Sequence, residues 1–303
     1  MKKIFKGNEH FTEKTQYLAG WEIQLDGEEH CYSFIQTQLI DKKTAKNLGT
    51  YVELNFGLNN LLCEAKLYSD GRQETSGHLY DYLNIKGSIG KLIFKDFKTN
   101  HLYALIESNI GINYLGGETP SDFKIPENKC PGSFQYLGML SNKDQAFDWL
   151  PFDLHLICPI YLDIDKVWID YNDPLNPIIL NKEEIDNTGS AYDELKNDSF
   201  VIFEQKNFNT IKVAERSLGF GVTGVPNWIQ YPDIPMCPIS KKTMKFLCQL
   251  GDYVDVKVSK TNVHPEDDWY KQYFEEMNFW SDGDLFVFFE PETKIACYFI
   301  QNS

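Results

Sequence analysis

The chain has 303 residues, a formal net charge of −15, 42% apolar and 15% aromatic residues. A chain of this length buries roughly three quarters of its unfolded surface, so neither a metal nor a disulfide is needed to fold it. No run approaches the ~18 apolar residues of a helical membrane span, and the negative charge disfavours direct contact with phosphate backbones.

The opening Met1-Lys2-Lys3-Ile4-Phe5-Lys6 carries the positive charge of a signal peptide but no apolar stretch follows it, so a cytoplasmic location is expected. Residues 1–110 read as a β-rich domain of short strands divided by turns. Trp21-Glu22-Ile23-Gln24-Leu25 alternates apolar and polar before an Asp26-Gly27 turn. Cys31–Ile40 and Thr50–Phe56 have strand composition, Ser69-Asp70-Gly71 marks a turn, and 92–94 with 103–106 reads as a strand pair. Lys42–Leu48 is a candidate helical turn. His10, His30, His78 and His101 are isolated in the sequence.

From residue 111 an internal repeat is legible. One copy, about 111–162, runs Gly116-Gly117-Glu118-Thr119-Pro120, then Cys130-Pro131, Phe134–Leu140 and Leu154–Tyr161. The other, about 220–300, runs Gly224-Val225-Pro226-Asn227-Trp228, then Cys237-Pro238, Met244–Leu250 and Leu285–Phe289. The step from Pro to Cys is 10 residues in one copy and 11 in the other. Duplication of a β-unit accounts for the shared order, because one such unit leaves a sheet face uncovered. Between the copies lies an acidic linker with turn signals at Asn172-Asp173-Pro174 and Asn187-Thr188-Gly189, a short helix within Lys182–Leu195, and a strand at Ser199–Phe203. His264–Phe279 is the strongest helix candidate: Pro265 suits the first turn, Glu266, Asp267 and Asp268 suit its positive end, and Trp269, Tyr270, Tyr273 and Met277 recur at helical spacing. The expected fold is mainly β (α+β), with antiparallel sheets and few short helices.

Charge is distributed unevenly. Residues 1–100 hold 13 basic and 13 acidic side chains, so the whole excess lies beyond them. Residues 148–198 hold 12 acids against 3 lysines, and residues 252–292 hold 11 against 3. Such runs serve either as solvated loops or as a docking surface for a basic partner. The candidate docking residues are Asp163, Asp165, Asp170, Asp173, Glu183 and Glu184, since loops on a rigid scaffold often carry recognition.

The catalytic constellations are thin. His264 with Glu266, Asp267, Asp268, Asp282, Asp284 and Glu290 offers metal-ligating residue types, though without the tight spacing of a metal motif. Gly219–Gly224 lacks both the spacing and the lysine of a phosphate loop, and no nucleophile elbow is present. His155 within Leu154-His155-Leu156 reads as a satisfied strand histidine. The seven cysteines form no close pair and several stand in apolar runs, so free, buried thiols are expected and no metal or cofactor is assigned.

Three motifs carry a resemblance. Gly224-Val225-Pro226-Asn227-Trp228-Ile229-Gln230, Met244–Leu250 ending in Gln249-Leu250, and Trp280-Ser281-Asp282-Gly283-Asp284 before an aromatic strand are similar in order to the YwqG-like family. The likeness is closest from Gly224 to Phe289, extends loosely over 111–303, and departs at Ser281, where the family favours Gly, and at Leu250-Gly251-Asp252. On this reading Gly224, Pro226, Trp228, Gln230, Gln249, Trp280 and Asp282 are structural motif residues. The resemblance implies two similar β halves and no catalytic residue. It also implies a protein-binding role, either as an immunity protein neutralising a toxin or, through a more distant likeness, as a chaperone-like binder of a basic protein. A metal-dependent hydrolase using the acids near His264 is the alternative from another class.

Overall fold

The computed structural model describes the backbone of residues 11–25, 28–41, 47–58, 61–68, 73–76, 93–95 and 100–101, and then most of 102–302 with side chains; 130–133, 160–163, 189–194, 197, 214–218, 225, 231–232, 243, 252–253, 272–273, 280–282 and the side chains of 158–159 and 268–269 lie outside the description. The chain divides into two compact units, residues 1–102 with 231–234, and residues 103–230 with 235–303.

The first unit is an antiparallel sheet. Its strands are β1 (Phe11–Leu25), β2 (Glu28–Asp41), β3 (Asn47–Leu58), β4 (Leu61–Tyr68), β5 (Gln73–Ser76), β6 (Ile93–Lys95) and β7 (Asn100–His101). They are ordered β5-β4-β3-β2-β1-β6, and β7 also pairs with β1. The first three strands run 15, 14 and 12 residues, longer than the short strands read from composition. A register shift between Ala19 and Trp21 interrupts the β1–β2 ladder. The Lys42–Leu48 helical turn lies outside the described residues up to 46, and Asn47-Leu48 opens β3.

The second unit carries the remaining strands: β8 (Tyr103–Glu107), β9 (Asn113–Leu115), β10 (Phe134–Leu140), β11 (Leu154–Pro159), β12 (Val167–Asp170), β13 (Ile178–Ile179), β14 (Val201–Phe203), β15 (Lys206–Lys212), β16 (Gly221–Thr223), β17 (Lys245–Leu250), β18 (Val258–Thr261), β19 (Asp284–Glu290) and β20 (Ile295–Gln301). Eleven of them form one sheet, ordered β11-β10-β9-β15-β8-β16-β17-β19-β20-β12-β13, while β14 pairs with β18. Every pairing is antiparallel. The mainly β, antiparallel architecture expected from the sequence is therefore present. The expected pairing of 92–94 with 103–106 is not, because β6 pairs with β1 whereas β8 lies between β15 and β16.

The first eight strands of this order read alike from both ends when β8 is matched with β15, β9 with β16, β10 with β17 and β11 with β19. The register matches as well. Tyr136 faces Ile157 and Gly138 faces Leu156, with the bulge at Leu137; Phe246 faces Phe288 and Cys248 faces Val287, with the bulge at Leu247. Ile106 pairs with Asn209 at the centre. The opening strand of each half lies beside the second strand of the other, β16 against β8 and β9 against β15. Gly116 and Gly224, which follow β9 and β16, both hold left-handed φ values of 69° and 84°, a conformation that a side chain disfavours.

One face of the sheet buries Leu115, Leu137, Leu154, Phe208, Leu247, Leu285 and Phe289 in a single apolar cluster. Removing such a side chain from water contributes about 1.5–3 kcal/mol each. The sheet curls so that the β12 end meets β11: the Tyr171 hydroxyl donates to the His155 carbonyl at 2.9 Å. On the other face Phe286 and Phe288 are fully buried under Trp228, whose ring stacks on them at 5.1 and 6.0 Å. Trp228 and Phe246 are half-buried, because Trp228 lies flat across the aromatic row as a cover and presents its outer ring face outward.

Two helices are described, α1 (Lys182–Thr188) and α2 (Asp268–Lys271). The first lies within Lys182–Leu195, where the sequence reading placed a short helix, and the expected interruption at Gly189 lies outside the described residues. The helix expected over His264–Phe279 shrinks to four residues. Its backbone is drawn into pairing instead: Val258 N–H donates to Glu275 O, Met277 N–H donates to Val256 O, and Lys257 bridges Glu276. Phe274, Met277 and Phe279 are all buried, which a straight surface helix would not allow. No helix among the described residues is long and apolar enough to cross a membrane.

Candidate functional site

The last two strands of the large sheet, β12 and β13, and the following α1 bring acidic residues of the linker together. Asn181 fixes this corner. Its Oδ1 accepts from Trp168 N–H at 3.0 Å, and its Nδ2 donates to Lys166 O at 2.8 Å. Ile185, fully buried, anchors α1 from beneath. Glu183 and Glu184 therefore occupy the first turn of a fixed helix, where the positive end favours them. Glu184 also accepts from Asn181 Nδ2 at 3.0 Å.

Asp170 ends β12 and shapes the next turn, accepting from Asn172 N–H at 2.7 Å and from its side-chain amide at 2.8 Å. Asp173 accepts from Leu175 N–H at 3.2 Å. Asp170 and Asp173 thus stand at one end of the β12–β13 edge, and Glu183 and Glu184 at the other, beside Lys166. Asp165 stands before β12 and pairs with Lys166 at 3.1 Å; Asp163 lies outside the described residues. Two apolar side chains sit exposed within the acidic edge, Leu175 at 38% and Ile178 at 54%. Composition concealed them, because Leu175 is a lone apolar residue in a turn and Ile178 opens an ordinary apolar run, and only exposure separates them from the core.

The motif residues shared with the resemblance act on turns. Gln249, buried on β17, accepts from Asn227 N–H at 2.6 Å, donates to Asn227 O at 2.9 Å, and also donates to Asp284. It holds the Gly224–Trp228 turn, in which Pro226 is buried. Gln230 is exposed and donates to Asn302 O at 2.9 Å. The buried Gln301 accepts from Ile229 N–H at 3.2 Å, a role that sequence reasoning missed because the two lie 72 residues apart. Trp280 and Asp282 lie outside the described residues.

The residues of the metal reading take separate tasks. His264 and Asp267 are exposed, and Asp284 is engaged by Gln249. Glu290 closes its own turn by accepting from Thr293 N–H at 2.8 Å, from the Thr293 hydroxyl and from Glu292 N–H at 3.1 Å. Burial raises the Glu290 pKa, but these donors outweigh it and hold the carboxyl below the usual range. No group of three or more His, Cys, Asp or Glu side chains able to hold a metal occurs among the described residues. Cys237, Cys248 and Cys297 are buried and outside any disulfide; Cys31, Cys63, Cys130 and Cys158 have no described side chain.

A polar chain absent from any sequence motif runs along the other half of the sheet. Tyr114 and Tyr136 share a hydroxyl–hydroxyl bond of 2.8 Å, and the Tyr136 hydroxyl meets His155 Nδ1 at 2.8 Å. Phe123 packs on the His155 ring at 4.8 Å between centroids. Burial holds the imidazole below its ordinary pKa, against the opposing pull of Asp122 and Asp153. Comparison with protein-family models, with curated proteins and with solved structures finds no match for this chain.

Proposed function

We propose that this chain is a binding protein that inhibits a basic protein partner by docking it on the β12–β13–α1 edge. The observation that carries this reading is the joining of Asp170, Asp173, Glu183 and Glu184 with exposed Leu175 and Ile178 on one anchored edge. Charge steers a basic partner toward the edge, and the two apolar side chains supply area to bury once contact is made. Asn181 and Ile185 hold the edge in place, so little order has to be gained on binding. We further propose, from the resemblance, that residues 111–303 are a duplicated YwqG-like unit and that the partner is the toxin of an immunity pair. The matched strand order and bulge positions of the two halves support the duplication.

The test is a combined Asp173→Lys, Glu183→Lys and Glu184→Lys variant, assayed against the product of the adjoining gene if that product is basic. With the circular dichroism spectrum unchanged, the association rate at low salt should fall about tenfold or more, since steering by opposite charge raises rates by 10–10³. Protection should weaken in parallel. An unchanged rate and full protection would remove the docking reading. If protection survives this variant but is abolished by substituting His264, Asp267 and Asp282, an enzyme takes its place.

A further inference from the structure

Equivalent positions in the two halves of the large sheet carry different chemistry. By register, Tyr136 stands where Phe246 stands and His155 where Phe286 stands. The second half places Phe246 and Phe286 at these positions, packed with Phe288 and Trp228. The geometry of the sheet therefore does not require a histidine at 155.

That histidine joins three segments. Its Nδ1 meets the Tyr136 hydroxyl on β10, its ring carries Phe123 from the loop after β9, and its carbonyl accepts from Tyr171 just beyond β12. The Phe123 segment in turn reaches the acidic edge. Lys124, the next residue, donates its N–H to Leu175 O at 2.9 Å, and Lys129 N–H donates to Asp186 Oδ1 on α1 at 2.8 Å. Contact with the imidazole and contact with the edge are thus one residue apart on the same segment.

We propose that residues 117–129 form a strap that seats the acidic edge while His155 is neutral and releases it when His155 is protonated. This rests on the docking role of that edge. With the neutral ring protonated at Nε2, Nδ1 accepts from the Tyr136 hydroxyl, which also bonds to Tyr114. A charged ring is a donor at both nitrogens, so the Tyr136 bond must reverse and the Tyr114–Tyr136 pair must reorganise. The charge is also disfavoured among Phe123 and Tyr136. The titratable groups facing the ring are Asp122 on the strap, Asp153 before β11, Tyr136 on β10 and, through the carbonyl, Tyr171, which bonds to Tyr298. Asp122 on the strap and Asp153 before β11 attract the charged ring, so release requires the lost contact with Phe123 and the rearranged tyrosine pair to outweigh that attraction. Because the folded protein holds His155 below its ordinary value, the closed arrangement is fully favoured above about pH 6.5 and is lost as pH falls through the folded value.

Amide hydrogen exchange on the intact protein at pH 7.5 and 5, corrected for intrinsic rates, tests the strap without any partner. Protection at Lys124 and Lys129 should fall at least tenfold at the lower pH in the wild type and stay constant in His155→Phe, the residue of the equivalent position. His155→Gln, uncharged at both values, serves if the Phe variant fails to fold. Equal loss of protection in wild type and variant, or loss in neither, overturns the proposal. Binding of a polylysine peptide at pH 7.5 separately reads the edge: its absence there counts against docking, whatever the exchange shows. Where it binds, its affinity should drop with pH in the wild type only, and the same drop in both proteins overturns the proposal.

Discussion

Asp144 shows how a single buried carboxylate ties separate stretches of this chain. It lies in the loop after β10, almost without exposure, and accepts from Asn113 Nδ2 at 2.7 Å, Thr210 N–H at 3.3 Å, Ala146 N–H at 3.0 Å and the Thr210 hydroxyl. Asn113 and Thr210 are on β9 and β15, so the residue fastens its loop to the centre of the sheet. A buried charge is stable only when its lone pairs are met, and here donors from three segments meet them. Asp144→Ala takes the acceptor from the buried Asn113 Nδ2 and from the half-buried Thr210 and Ala146 N–H groups, and should destabilise by roughly 2–4 kcal/mol in urea unfolding, because a buried unsatisfied donor costs about 1–3 kcal/mol and a half-buried one less. Asp144→Asn keeps the shape but turns an NH2 toward donors, and should fall between wild type and Ala. A loss below about 1 kcal/mol for Asp144→Ala would mean that water replaces the carboxylate at little cost.

At the scale of elements, the strands were legible and the paired backbone was not. Phe134–Leu140, Leu154–Pro159, Met244–Leu250 and Asp284–Glu290 have the apolar, β-branched and aromatic content of buried strands, and strands lie there. The helix read into His264–Phe279 failed because spacing reports which residues are apolar, not whether the same backbone is wanted by a neighbour; here Val256 and Val258 take the hydrogen bonds of Glu275 and Met277. Trp228 illustrates a related limit. As a motif residue it reads as structural, and the structure shows how: it covers a row of rings rather than sitting inside one. Trp228→Ala should therefore cost about 1–3 kcal/mol, the sum of two aromatic pairs worth about 0.5–1.5 kcal/mol each, and not the roughly 3–5 kcal/mol of a fully buried aromatic. Urea unfolding of the variant measures it, and a value in the upper range would mean the ring is enclosed.

At the scale of the molecule, the repeat in the sequence and the sheet in the structure differ in one respect that matters for stability. The sequence reading sets two similar β-units in succession, at about 111–162 and 220–300, each expected to leave a sheet face uncovered alone. In the sheet, β8 of the first half pairs with β16 of the second, and β15 pairs with β9. Local pattern cannot reveal this exchange, because a strand's composition does not name its neighbour. The acidic edge was legible as charge but not as a surface: Asp165, Glu183 and Glu184 lie toward one end of β12 and Asp170 and Asp173 toward the other, and Leu175 and Ile178 carry no signal until their exposure is seen. The exchange of first strands has a thermodynamic consequence. Neither half can unfold while the other keeps its own opening strand paired, so residues 103–303 should lose structure in one transition. Leu137 and Leu247 test this, since both are fully buried at matching bulges in different halves. Each Leu→Ala change should cost about 2–5 kcal/mol. Both should lower the same urea midpoint by similar amounts, whether the probe is a fluorophore in one half or in the other. In the double variant the costs should add to within about 0.5 kcal/mol, as for separated sites in one cooperative unit. Two midpoints, with Leu137→Ala moving one and Leu247→Ala the other, would show that the halves unfold independently despite the exchanged strands.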